Sequence, residues 1–344
     1  EFNFSFAEGA TDEQILGFEL AGEIWSQYLG DTFNGENLDI NIHVEIADDL
    51  LPENIIGGAF PTIKTDLTYG DVYNALVNDV SSTTDRIVVD SLLDASSIDI
   101  MVGGEVIDSN YKMQATSANL KALGLMDGNN QELDGYIVMN SLANAPISWN
   151  YDFLNAPQAG TLDFLSTALH EVGHTIGFIS GIDTNKTEDN SFIHRVLDYF
   201  GRNTASVIDT SVMDLFRYSL ESAAQGINDL TLGKGAFFSI DGTPTELALS
   251  TGEDYQGSHW IDGTVDNGLG IMNPTLGLGE RWSISSNDLL VMEAIGWDIN
   301  YTTELDLQTL SNAAQSQVET AWIEDRTTDV DAILPVSYTH LRAH

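Results

Sequence analysis

"TLDFLSTALHEVGHTIGFIS", residues 161–180, decides how the rest of the chain is understood. It sets His170, Glu171 and His174 in the spacing H-E-x-x-H, ahead of Gly177 and Phe178. Leu162, Leu165, Leu169, Val172 and Ile176 advance by three and four residues, which predicts a helix with one apolar stripe. Thr161 or Gly160 is the expected cap, with Asp163 in the first turn. Asp163, Thr167, His170 and His174 fall on a second stripe, so the imidazoles stand one turn apart and can share a single ion, zinc above all. Glu171 lies about 100° further round, at about 3.6 residues per turn, where it can face a water on that ion without becoming a ligand. A helix with two surface histidines and an exposed glutamate would carry the same letters. The helical setting and the Gly177-Phe178 pair argue for the site.

Around this stretch the patterns alternate. "TDEQILGFELAGEIWSQYLG" (11–30) and "YGDVYNALVNDV" (69–80) predict helices, while "LDINIHVEIA" (38–47) and "GYIVMNS" (135–141) predict strands. This order gives an α+β fold with an N-terminal mixed sheet plus helices. Beyond Gly181 comes a polar loop, then helices at "RVLDYFG" (195–201) and "SVMDLFRYSLESAAQG" (211–226), and a hairpin about Asp241-Gly242. A Gly-rich stretch leads to a closing helix in "SSNDLLVMEAIGWDI" (285–299), capped by Ser285 or Ser286 and ended by Gly296. The expected division is a lobe over 1–180 ending in the motif helix, a largely helical or irregular lobe over 181–300, and an extension over 301–335.

Composition limits the function classes. With 42% hydrophobic residues the chain is globular, and 53 acidic against 12 basic residues give a net charge of -41, which repels nucleic acid and anionic lipid. There is no cysteine, which excludes disulfides and thiolate metal sites. No stretch approaches the ~20 apolar residues of a membrane span. The opening "EFNFSFAEG" carries no leader, as expected of a mature protein or fragment whose targeting segment lies elsewhere. Residues 336–344 resemble a translated sequencing adaptor and are set aside as an expected assembly artefact.

Two histidines do not complete a zinc site. The compact pattern H-E-x-x-H-x-x-G-x-x-H matches through Gly177 and fails at Ser180, whose hydroxyl is a poor zinc ligand. His43 sits in a predicted strand and suits a structural role. His194 could face either way, and Asp183 and Glu188 lie in an acidic loop. His259 in "YQGSHWIDG" is the strongest candidate, followed by Met272 in "GIMNP".

Taken together, "HEVGHTIGF", the distant "SHW" and the later "IMNP" resemble the leishmanolysin-like branch of the metzincins and related bacterial secreted metalloproteases. In that branch the chain between the helix-ending glycine and the third histidine is lengthened. The resemblance implies a zincin fold, His170, His174 and His259 as zinc ligands, and Glu171 as catalytic base. It also implies Met272 in a turn beneath the metal and Gly177 as the helix-ending turn. A secreted or cell-surface zinc endopeptidase acting on polypeptides follows from it. No tyrosine stands two residues after Met272, so none is assigned as a transition-state donor. The alternatives are an acidic extracellular Ca²⁺-binding or adhesion module, with oxygen ligands in "DGNNQELDG" (127–135) or "DTNKTEDN" (183–190), and a zinc amidase acting on non-protein substrates.

Overall fold

The alternation in 38–47 forms a strand that buries Ile40, Ile42 and Val44 on one face. On its other face His43 is also buried, its Nδ1 2.8 Å from Ser5 Oγ and its ring stacked on Tyr136, a structural placement. The computed structural model describes residues 1–47, 50–52, 54–183, 209–323 and 339–343; His194, Glu188 and the helix expected at 195–201 lie outside them. The fold is α+β. Its main sheet has seven strands: β1 (Phe2–Phe6), β2 (Ile40–Ala47), β3 (Ile55–Pro61), β4 (Gly135–Asn140), β5 (Thr275–Leu276), β6 (Trp322–Ile323) and β7 (Thr339–Ala343). Their spatial order is β5-β7-β3-β4-β2-β1-β6. β3 runs antiparallel to β4 and β7, and the other pairs are parallel.

Residues 339–343, within the stretch expected to be an assembly artefact, pair as β7. The reason lies in backbone chemistry: a strand edge offers N–H and C=O groups to any extended segment, whatever its side chains. β7 fills that role between β3 and β5.

Helix α1 (Asp12–Tyr28) starts at a Thr11 and Gln14 capping box and crosses the motif helix α2 (Phe164–Thr175) at Gly17. A Cβ at Gly17 would stand 2.5 Å from Phe164 Cδ1, so this crossing requires glycine. Trp25 Nε1 donates to the Leu169 carbonyl at 3.1 Å, and Trp297 Nε1 to that of Ile176 at 2.9 Å. One indole therefore ties α2 to α1 and the other ties it to the end of α3 (Ser286–Ala294), capped by Ser285 and closed at Gly296 with φ 100°. One apolar cluster joins the sheet, α1, α2, α3 and α4 (Leu307–Val318).

One expectation for 211–250 needs correction. Instead of one helix, the chain forms a 3₁₀ turn at Met213–Phe216, a short strand at Arg217–Tyr218 and a single helical turn at Leu220–Ala223. Asp214 and Ser219 bind backbone locally and break the helical run. The hairpin about Asp241-Gly242 is present, its strands Ala236–Phe238 and Ala248–Leu249 pairing antiparallel across a connection over 239–247.

Candidate metal centre

The helix that carries the site begins later than its sequence suggests. Thr161–Asp163 pairs as a strand with Ser148–Asn150, so Asp163, not Thr161 or Gly160, caps α2 and accepts the Ser166 N–H at 3.1 Å. Its carboxylate also meets Arg281 twice, at 2.9 Å to Nε and 2.6 Å to Nη2. Arg281 donates in turn to the carbonyls of Asp152, Phe153 and Asn155, which completes a largely buried ion pair. Every residue of α2 is buried, so the stripe bearing His170 and His174 faces protein rather than water. Gly177, at φ 128°, ends the helix as expected, and the Phe178 N–H returns to the Gly173 carbonyl.

The structure brings His259 to the pair. His170 Nε2 lies 3.0 Å from His174 Nε2, and His259 Nε2 lies 3.2 Å from each. Nitrogens at about 2.05 Å round a tetrahedral zinc are about 3.3 Å apart, so the donor set fits such an ion. The opposite ring nitrogens fix the tautomers. His170 Nδ1 donates to the Ile271 carbonyl at 2.8 Å, His174 Nδ1 to Phe178 at 2.7 Å, and His259 Nδ1 to Gln256 at 3.2 Å. Each Nε2 thus turns a lone pair inward, and three lone pairs so close repel unless a cation lies among them. Burial lowers the His170 pKa to about 4, which keeps its ring neutral and able to ligate. Among the described residues these three histidines are the group that could hold a metal ion.

Glu171 is fully buried beside them. Burial pushes its carboxyl well above the usual range, while the N–H groups of Leu341 and Ala59 act in the opposite direction without reaching hydrogen-bond geometry at either oxygen. β3 comes close enough because of Gly57, where a Cβ would stand 2.7 Å from both Glu171 Oε1 and Thr167 Cγ2. A dication at the histidines would draw the carboxyl back toward its ionised form.

The loop bearing His259 is anchored from below. Asp183 accepts the Gly257 N–H at 2.6 Å and the Ser258 N–H at 3.0 Å, so this acidic candidate holds the third histidine instead of replacing it. Arg217, wholly buried, donates to the carbonyls of Ser250 at 2.7 Å and Gly257 at 3.4 Å. Ser180, where the compact pattern would put a ligand, donates to Asp214 at 2.6 Å. The Trp260 N–H reaches the Met272 carbonyl at 3.0 Å, and Met272 packs beneath α2, its sulfur 2.5 Å from where a Gly173 Cβ would be. Asp288 then unites both sides, accepting from Trp260 Nε1 at 2.8 Å and the Ile271 N–H at 2.9 Å. Sequence reasoning missed Arg217 and Asp288. A lone arginine inside the apolar "LFRYS" and the S-x-x-D spacing at 285–288 were the available signals.

Of the expected Ca²⁺ loops, one residue of each has a described role elsewhere, Asp134 in the first and Asp183 in the second. In the first, Asp134 is buried against Lys121 Nζ at 2.6 Å; the second lies outside the described residues apart from Asp183. No family model, curated protein or solved structure matches the chain. The metzincin resemblance therefore rests on the motif residues alone.

Proposed function

We propose that this chain is a secreted zinc endopeptidase with a zincin-type site. The observation that carries this reading is the convergence of three Nε2 lone pairs, all with carbonyl-fixed tautomers, beside the buried carboxylate of Glu171. His170, His174 and His259 would hold the ion, and Met272 would support the helix beneath it. When bound, zinc supplies Lewis acidity toward a carbonyl and lowers the pKa of water. Glu171 takes the proton of the attacking water on a carboxylate oxygen and passes it to the leaving amine. Its base strength suits this exchange because burial opposes the charged form that a nearby cation favours. A binding-only module has no use for a buried base at that position.

The deciding experiment measures bound zinc and casein or gelatin cleavage for wild type, Glu171→Ala and His259→Ala. Chelator should abolish wild-type cleavage. Glu171→Ala should keep zinc and lose activity by about a thousandfold or more, and His259→Ala should weaken both. A wild-type protein that binds zinc stoichiometrically yet cleaves nothing would overturn the assignment.

A further inference from the structure

Asp288 is the third residue of the capping box that starts α3, yet its fully buried carboxylate reaches well beyond that helix. The Ser285 N–H donates to Oδ2 at 2.7 Å and the Ile271 N–H to Oδ2 at 2.9 Å, while Trp260 Nε1 donates to Oδ1 at 2.8 Å. The Met272 N–H points at Oδ1 from 3.4 Å. Four N–H groups round two oxygens suit an ionised carboxylate, which only accepts. Burial pushes its pKa up, and the donors from Ser285, Trp260 and Ile271 act the other way. Gly270 lets the carboxylate lie against the backbone, since a Cβ there would overlap Oδ2.

A capping box needs only the contacts between Ser285 and Asp288. The remaining contacts lead to the histidines. The peptide group between Ile271 and Met272 accepts the His170 Nδ1–H at its carbonyl, at 2.8 Å, and turns its N–H toward Asp288. A negative charge at the N–H end polarises that group and makes its carbonyl a stronger acceptor. A stronger acceptor at Nδ1 makes Nε2 more basic, and Nε2 is the His170 atom that meets His174 and His259. The second route runs through Trp260, which directly follows His259. Its buried indole packs edge-on against the Phe178 ring, 5.4 Å between centroids, and the Phe178 carbonyl orients His174.

We propose that Asp288 is a positioning residue of the metal centre: it strengthens His170 as a ligand through the Ile271–Met272 peptide group and holds His259 through Trp260. The proposal rests on the zinc site of the endopeptidase reading, but not on peptide cleavage.

Metal binding to the full chain, with no substrate present, provides the test. Competition against a chromophoric chelator gives zinc affinity, the visible bands of the cobalt-loaded protein report the ligand field, and thermal unfolding of the metal-free protein reports the fold. Asp288→Asn removes the charge at nearly constant shape. It should weaken zinc binding about 30-fold and move the cobalt bands to longer wavelength, as a weaker nitrogen donor does. Thr68→Ala, which removes the capping box of the helix Tyr69–Asn78, should lower the unfolding temperature and leave zinc affinity within about twofold and the cobalt bands in place. Trp260→Phe removes the indole donor, keeps the carboxylate, and should weaken zinc binding about tenfold. Zinc affinity within twofold of wild type in Asp288→Asn would overturn the proposal. So would a loss of affinity with unmoved cobalt bands, the result expected of a cap that serves the fold alone. If Asp288→Asn does not fold, Trp260→Phe decides: about tenfold weaker binding upholds the proposal, and affinity within twofold overturns it. Metal binding with this dependence on Asp288 but no peptide cleavage upholds the positioning role and overturns the endopeptidase reading. Cleavage with zinc affinity independent of Asp288 overturns the positioning role alone.

Discussion

Asp183→Asn isolates the support of the third histidine from the histidine itself. The two carboxylate oxygens of Asp183 each accept one amide, from Gly257 at 2.6 Å and Ser258 at 3.0 Å, immediately before His259. A carboxamide keeps one acceptor and turns an N–H toward the other amide. The loop therefore loses one charge-assisted hydrogen bond, about 1.5–3 kcal/mol, and gains a repulsion between donors. Two other elements still hold it, the Arg217 bond to the Gly257 carbonyl and the Trp260 bond to Met272, so the loop should shift rather than unfold. About 2 kcal/mol transferred to the metal equilibrium corresponds to roughly 30-fold weaker zinc binding, within the range seen when an outer support of a ligand is removed. Competition against a chromophoric chelator measures the affinity, and thermal unfolding of the metal-free protein shows whether the fold has changed. Zinc affinity within twofold of wild type would refute the claim that Asp183 positions His259.

Gly57→Ala places a methyl 2.7 Å from Glu171 Oε1 and should displace the base while leaving the histidines in place. The expected result is at least about a tenfold loss of kcat with zinc content retained, and unchanged kcat would refute it. A pH effect follows from Asp31, whose pKa burial and then the Asp298 charge raise to about 8, and from Asp79, raised by burial and Asp298 to about 7. Both folded values exceed the unfolded one, so their contribution is complete below about pH 4 and is lost as pH rises toward 8. Asp31→Asn should therefore stabilise the protein at pH 8 by at least about 1 kcal/mol, and less at pH 5, in urea unfolding. An equal effect at the two pH values would contradict the assignment.

Much of the α+β layer was legible because hydrophobic period and caps are local. Ser285 and Gly296 mark helix ends in the letters themselves, and 38–47 alternates cleanly. The His170-Glu171-His174 triplet was legible for the same reason, since the H-E-x-x-H spacing is a property of one helix. His259 could be singled out by its setting, but its approach to His174 across 85 residues depends on tertiary contacts. The true cap of α2 was obscured because Thr161 pairs with Ser148, a partner the local pattern does not reveal. Arg217 misled as part of an apparent helix: its role comes from the carbonyls of Ser250 and Gly257, far along the chain. The pairing of 339–343 had no sequence reading, because 336–344 was set aside on its letters and backbone pairing leaves little mark on side-chain composition.

The chain's few cations are placed with a consequence for its behaviour in solution. Of 12 basic residues, Lys121 and Arg217 are buried and Arg281 is largely so, each near acidic side chains or backbone carbonyls inside the protein. The surface is left with still fewer positive charges to offset its carboxylates, and their mutual repulsion strains the folded state. Counter-ions relieve that strain at the surface, where screening acts over about 8 Å at physiological ionic strength, but hardly reach the buried pairs. Brine should therefore stabilise this molecule where it would loosen one held together by surface ion pairs.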